Sequence, residues 1–156
     1  NEIGLKTIIV RPYNVYGERY KWRGEYSHTI PMLISKVFSK NNPVEVWGSG
    51  RQRRSYLHAL DCAFIMEKLF DADYTKGPVN IGLDKTISIK ELAELISEQA
   101  EINTSFSFNL NKPEGRFIKS SDIKLQQSLI PDFTPKITLN NGVLKMIDWY
   151  KKSGFK

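Results

Sequence analysis

Only one cysteine, Cys62, and two histidines, His28 and His58, occur in the 156 residues. A lone thiol closes no internal disulfide, and two imidazoles thirty residues apart without cysteine support build no zinc site. These scarcities describe a reduced, cytoplasmic protein. No stretch approaches the ~18 consecutive apolar residues that a membrane span requires. The opening Asn1-Glu2-Ile3-Gly4-Leu5-Lys6 has neither the basic start nor the apolar run of a signal peptide. It also lacks an initiator methionine, so the chain reads as one that begins partway into a longer protein. Equally absent are a Gly-x-x-Gly-x-x-Gly turn, a P-loop and a Gly-x-Ser-x-Gly elbow. A phosphate cradle opening a helix and a serine nucleophile are thereby excluded. The chemistry must be borrowed, or the protein simply binds.

What is present is a globular composition, 40% hydrophobic and 12% aromatic, at a length that suits one compact unit. The formal net charge of +6 favours anionic partners: nucleic acid, a membrane surface or a phosphorylated small molecule. Arg51, Arg53 and Arg54 form one cluster. Lys145, Lys151, Lys152 and Lys156 lie on a predicted terminal helix, where they read as a solvated face complementing the helix C-terminus.

Short apolar strands alternate with amphipathic helices, which predicts an α/β fold. Thr7-Ile8-Ile9-Val10 is a β-branched run expected to form a strand buried on both faces. Ile30, Leu33, Ile34, Val37 and Phe38 recur at helical spacing, with Pro31 in the tolerated first turn. Val44–Trp47 alternates as a strand and Gly48-Ser49-Gly50 turns the chain. Asp61 reads as the N-cap of a helix containing Phe64, Ile65, Lys68 and Leu69. Val79–Gly82 is a brief strand. Ser88-Ile89-Lys90-Glu91 is a capping box, and Ile89, Leu92, Ala93, Ile96 and Ala100 give its helix one apolar stripe. A strand over residues 105–108, a short helix over 122–129 and a last helix through Leu139, Val143, Ile147 and Tyr150 complete the order.

The polar residues that could meet a ligand sit at strand ends and in loops. Asn14 follows the first strand, and open α/β sheets bind ligands outside the carboxyl ends of their strands. Arg54 follows the glycine turn, and Arg116 follows Pro113-Glu114-Gly115. Two arginines can clamp a diphosphate through forked, charge-assisted hydrogen bonds. Asn14 and Asn80 can donate to and accept from sugar hydroxyls or a base edge. On spacing alone, turn chemistry explains the asparagines as well, and surface ion pairs explain the arginines.

Several segments in order carry a resemblance. They are Arg11-Pro12-Tyr13-Asn14-Val15-Tyr16-Gly17, Ile30-Pro31, the run from Val46 to Asp61, Val79-Asn80-Ile81-Gly82, Ser88–Leu92, and Lys112-Pro113-Glu114-Gly115-Arg116. Together they resemble the extended short-chain dehydrogenase/reductases, NAD-dependent epimerases and dehydratases that remodel nucleotide sugars. The resemblance covers nearly the whole chain and implies the C-terminal, substrate-binding portion of a Rossmann-type enzyme, here residues 1–156. It implies that Asn14 contacts the sugar diphosphate and that Arg54 grips a phosphate or ribose. It also implies that Arg116 binds a second phosphate, and that Trp47 and Asn80 line the nucleotide pocket; a core role for Trp47 stands beside that. Ser27-His28-Thr29-Ile30-Pro31 resembles the Ser-His-Val-x-Pro segment of the GDP-fucose synthase branch, where the histidine acts as an acid in epimerisation. Imidazole suits that work because its ordinary pKa lies near neutrality.

The chain departs from the family in one respect: no Tyr-x-x-x-Lys pair and no glycine-rich dinucleotide loop occur in it. The resemblance therefore implies that NAD or NADP and the Tyr/Lys pair belong to a cofactor-binding half absent from this chain. This chain alone is expected to bind no dinucleotide and to be inactive. The expected partner is a nucleoside diphosphate sugar, with room for a homodimer in the complete enzyme and no membrane. The alternative is a non-catalytic nucleotide-binding remnant or a subunit acting in trans. Tyr16, Tyr20, Trp22 and Tyr26 near basic residues would suit nucleic-acid stacking, but the family resemblance accounts for the same residues. Without the other half, the first strand is expected to leave an open edge and apolar surface prone to self-association.

Overall fold

The computed structural model describes residues 4–20, 22, 27–39 and 41–153. In chain order the elements are β1 (Val10–Pro12), β2 (Val15–Tyr16), α1 (Thr29–Phe38), β3 (Val44–Trp47), β4 (Arg53–Arg54), β5 (Leu57–His58) and α2 (Ala59–Asp71). They continue with β6 (Val79–Ile81), β7 (Ile87–Ser88), α3 (Ile89–Ala100), β8 (Phe106–Asn109), β9 (Ile118–Lys119), α4 (Lys124–Leu129) and α5 (Leu139–Lys152). The α/β class read from the sequence is the class observed. Three two-stranded parallel ladders join β1 to β6, β2 to β5 and β3 to β8. A fourth sheet has β4 at its centre, antiparallel to β7 and parallel to β9.

Two apolar clusters organise these elements. In the larger, α1, α3 and α5 pack with β3 through Ile30, Ile34, Val46, Leu92, Ile96, Val143 and Ile147. Burying each such side chain is worth roughly 1.5–3 kcal/mol, so the apolar stripe of α3 does more for that helix than its intrinsic propensity. The Ser88 capping box is present: Ser88 Oγ accepts from the Glu91 amide at 3.1 Å, and Glu91 accepts from the Ser88 amide at 2.8 Å. In the smaller cluster, Leu57, Ile65, Leu69, Val79 and Ile81 bring α2 against β5 and β6.

Two expectations are corrected. The first ladder begins at Val10 instead of Thr7, and Ile9 is 59% exposed. Its strand has β6 on one side and no partner on the other among the described residues, so the β-branched run is not buried on both faces. The N-cap of α2 is His58, whose Nδ1 accepts from the Leu60 amide at 3.3 Å. Asp61 lies within the first turn and is buried. Its two oxygens accept from the backbone amides of Lys136 and Ile137 at 3.0 and 3.1 Å. A buried carboxylate engaged by the two backbone amides of another segment does not also cap the helix that carries it. Lys145, Lys151 and Lys152 are exposed along α5, as read, while Lys156 lies outside the described residues.

Candidate functional site

Arg54 stands on the wall between two neighbouring clefts. The first, about 350 Å³, is lined by Asn14, Tyr16, Tyr20, His28, Tyr56 and Lys119 in addition to Arg54. The start of α1 forms one of its edges, with Thr29, Ile30 and Pro31 in the lining. The second, about 160 Å³, is bounded by Trp47, Lys36, Gln52 and Glu114. The fold thus brings Asn14, His28 and Arg54 to one cavity and Trp47 to its neighbour.

Each of these side chains is placed by local chemistry. Asn14 adopts φ +43°, a left-handed conformation that asparagine tolerates better than most residues. Its Nδ2 donates to the Ser55 carbonyl at 2.9 Å, and the side-chain oxygen takes no part in that bond. His28 is the N-cap of α1 by backbone geometry, but its ring makes no capping hydrogen bond. The ring is exposed and meets Tyr20 edge-on, 5.1 Å between centroids. Tyr56 has its phenol pushed up to about 12 by burial, against the opposing pulls of the Thr29 hydroxyl and the Arg54 charge. It is therefore a neutral hydroxyl at physiological pH.

Trp47 is 42% exposed, which removes the core role. Its indole nitrogen donates to Glu45 at 3.1 Å, and the ammonium groups of Lys36 and Lys112 lie 5.6 and 5.5 Å from the ring centroid. An exposed indole beside two cations suits a flat, anion-bearing ligand. Glu45 is held below the usual carboxylate range by the Asn109 amide first and by the Trp47 indole second.

Two expected residues lie elsewhere. Asn80, on β6, donates to the Asp122 carbonyl at 3.3 Å and lines neither cleft. Arg116 is exposed, and its contribution is its backbone carbonyl, which accepts from Arg54 at 2.8 Å. Lys119 was not legible in the sequence. It stands opposite Arg54 in the β4–β9 register, and nothing in the spacing of residues 54 and 119 announces that pairing. The stacking platform suggested for nucleic acid does not exist as drawn: Tyr16 and Trp22 are 4% and 1% exposed. Tyr26 lies outside the described residues. The sequence contains no Gly-x-x-Gly-x-x-Gly turn and no Tyr-x-x-x-Lys pair. Among the described residues, no helix is long and apolar enough to cross a membrane.

The chain is an α/β scaffold whose polar groups converge on two neighbouring clefts. The sequence model of the NAD dependent epimerase/dehydratase family matches residues 1–82, and the chain belongs to that family. GDP-L-fucose synthase 1 of Arabidopsis thaliana is 32% identical over 96% of this chain and 47% of its own length. A putative UDP-glucose 4-epimerase of Methanocaldococcus jannaschii is likewise 32% identical, over 96% of this chain and 47% of its own. Among solved structures, UDP-N-acetylglucosamine 4-epimerase from Methanobrevibacter ruminantium superposes with a TM-score of 0.84 at 24% identity. That match covers 96% of this chain and 47% of the other, and it speaks to the fold alone. The chain spans about half the length of the curated relatives it matches.

Proposed function

We propose that this chain is the nucleotide-sugar-binding portion of an NAD(P)-dependent nucleotide-sugar epimerase, dehydratase or reductase. The observation that carries the reading is the convergence of Asn14, His28 and Arg54, with Lys119, on one cavity of about 350 Å³. A diphosphate would lie against Arg54 and Lys119, where charge-assisted hydrogen bonds are strongest. Sugar hydroxyls would meet the Asn14 side-chain oxygen, and the base would lie against the exposed indole of Trp47. His28, exposed at the cavity edge and unused as a cap, would hand a proton to a sugar carbon during epimerisation. Asn80 and Arg116 do not line this cavity and are assigned supporting positions at most. The Ser27-His28 segment and the similarity to fucose synthases favour GDP over UDP as the nucleotide.

Titration of the chain with GDP tests the reading. Arg54→Ala removes charge-assisted hydrogen bonds worth ~1.5–3 kcal/mol, so affinity should fall by about 10- to 150-fold. Unchanged affinity removes Arg54 from the site. A second reading is a subunit that completes an active site in trans. Mixing the chain with a separately made cofactor-binding half of a relative distinguishes the two. Recovered turnover establishes action in trans, and none leaves a binding module.

A further inference from the structure

Glu114 is a misfit in a cleft that should attract anions, since it places a carboxylate beside Arg54 in the Trp47 cleft. Its bonds explain its presence. One oxygen accepts from Ser49 Oγ at 2.7 Å and the other from the Ser49 amide at 3.1 Å. The turn admits it because residue 48 is glycine at φ +74°: a Cβ there would lie 2.8 Å from Glu114 Cγ. The segment around Glu114 is thus pinned to the turn from Gly48 to Gly50.

That pinning fixes two backbone carbonyls, and both hold Arg54. Arg54 Nη1 donates to the carbonyls of Arg116 and of Arg53, each at 2.8 Å, and Nη2 donates to the carbonyl of Glu114 at 3.3 Å. A guanidinium has five N–H donors. Among the described residues those bonds leave the Nε hydrogen and one hydrogen on Nη2 without a protein acceptor, donors available to phosphate oxygens. Gly115 takes φ +72°, a left-handed conformation that glycine adopts without strain, at the bend between the two carbonyls.

We propose that Glu114 is a positioning residue for Arg54: it clamps the loop whose carbonyls aim the free donors of the guanidinium at a diphosphate. The inference rests on the proposed nucleotide-binding role of Arg54. It predicts a sign that plain electrostatics does not. Removing a negative charge from beside an anion site should tighten binding by Coulomb's law alone, whereas loss of the clamp should weaken it. The Ser49 hydroxyl and amide hold the Glu114 carboxyl below its usual range, so the clamp stays ionised at neutral pH.

The test is calorimetric titration of the chain with GDP and with UDP for wild type, Arg54→Ala, Glu114→Gln and the double variant, with thermal melts alongside. Glu114→Gln should weaken binding about fivefold, inside the ~2- to 150-fold span that couplings between contacting groups cover. In the Arg54→Ala background the same change should do nothing further, because its effect passes through Arg54. Ser49→Ala, which removes only a hydroxyl from the clamp, should weaken binding in the same direction and serves if Glu114→Gln fails to fold. Tighter or unchanged binding by Glu114→Gln, or an equal loss with and without Arg54, overturns the inference. If Arg54→Ala binds as well as wild type, or wild type binds neither nucleotide, the proposed function falls and this inference with it. A normal loss at Arg54 with none at Glu114 sinks the positioning role alone.

Discussion

Replacing Gly142 by alanine sets helix propensity against packing. The residue lies in the first turns of α5, its amide donating to the carbonyl of the Thr138 N-cap at 2.9 Å. In an open helix the change would stabilise by about 1 kcal/mol. Here a Cβ would sit 2.1 Å from the Tyr16 hydroxyl and 2.8 Å from two ring carbons. Ordinary contact begins near 3.4 Å, so the tyrosine must retreat by more than 1 Å, from 3.4 minus 2.1. It has little room to do so. Tyr16 is buried, and its ring stands edge-on to Tyr56 at 6.1 Å and to His58 at 5.3 Å. Overpacking of a close-packed site costs ~1–3 kcal/mol, and the upper end applies where the obstacle is rigid. Subtracting the propensity gain leaves a net loss of about 2 kcal/mol. For a chain of this length that lowers Tm by roughly 4–8 °C. Circular dichroism melts of wild type and Gly142→Ala measure it directly. In a Tyr16→Phe background the closest contact is gone, and Gly142→Ala should cost less. A Tm equal to or above wild type would refute the reasoning, because the propensity term would then stand unopposed. An equal cost in both backgrounds would clear the hydroxyl and leave the ring carbons responsible.

Two further outcomes follow from single interactions. Ser88→Ala removes the hydroxyl half of the capping box and should destabilise by about 1 kcal/mol, read as a Tm lowered by roughly 2–4 °C; an unchanged melt would remove the cap from the stability of α3. Acid should weaken the fold in a defined window. Glu91, held below its usual range first by the Ser88 amide and hydroxyl, and Glu45 and Glu114 likewise lowered, all favour the ionised folded state. Depressed folded values mean stabilisation fully present above the ordinary Glu pKa of about 4.3 and lost as pH falls through the folded values. The urea midpoint should therefore drop between about pH 5 and about pH 3, less steeply in Glu91→Gln; a flat midpoint across that window contradicts the linkage.

What the sequence made legible was local. The capping box at Ser88 and Glu91 is a contract between residues three apart, and it is kept in both directions. Val44–Trp47 alternates because one face meets the core, and β3 has those bounds. What escaped was long-range. Asp61 looks like a cap because the residues after it are helical, yet its partners are amides 75 and 76 residues away. Thr7–Val10 is β-branched enough to be a buried strand, but a residue is buried only where a neighbour covers it, and Ile9 has none on its outer side among the described residues. The candidate site divides along the same line. Asn14, His28 and Arg54 lie in recognisable motifs and share a cavity, while Lys119 enters it only through a strand register that no local pattern encodes.

The same distinction bears on the charge. A net +6 on a chain with tyrosines and tryptophan near its arginines invites nucleic acid, but the two most suggestive rings, Tyr16 and Trp22, are buried in the core. Trp47 is 42% exposed, with the ammonium groups of Lys36 and Lys112 near its ring. Around the two clefts Arg54, Lys119, Lys36 and Lys112 supply positive charge. The nearby carboxylates, Glu45 and Glu114, are occupied by hydrogen bonds from Asn109, Trp47 and Ser49. Both carboxylates keep their negative charge, but the four cations around the clefts outnumber them, so the local balance still favours an anion. A compact ligand with one flat ring and two phosphates fits that distribution better than a polymer, because the cations converge on neighbouring concavities instead of running along a face.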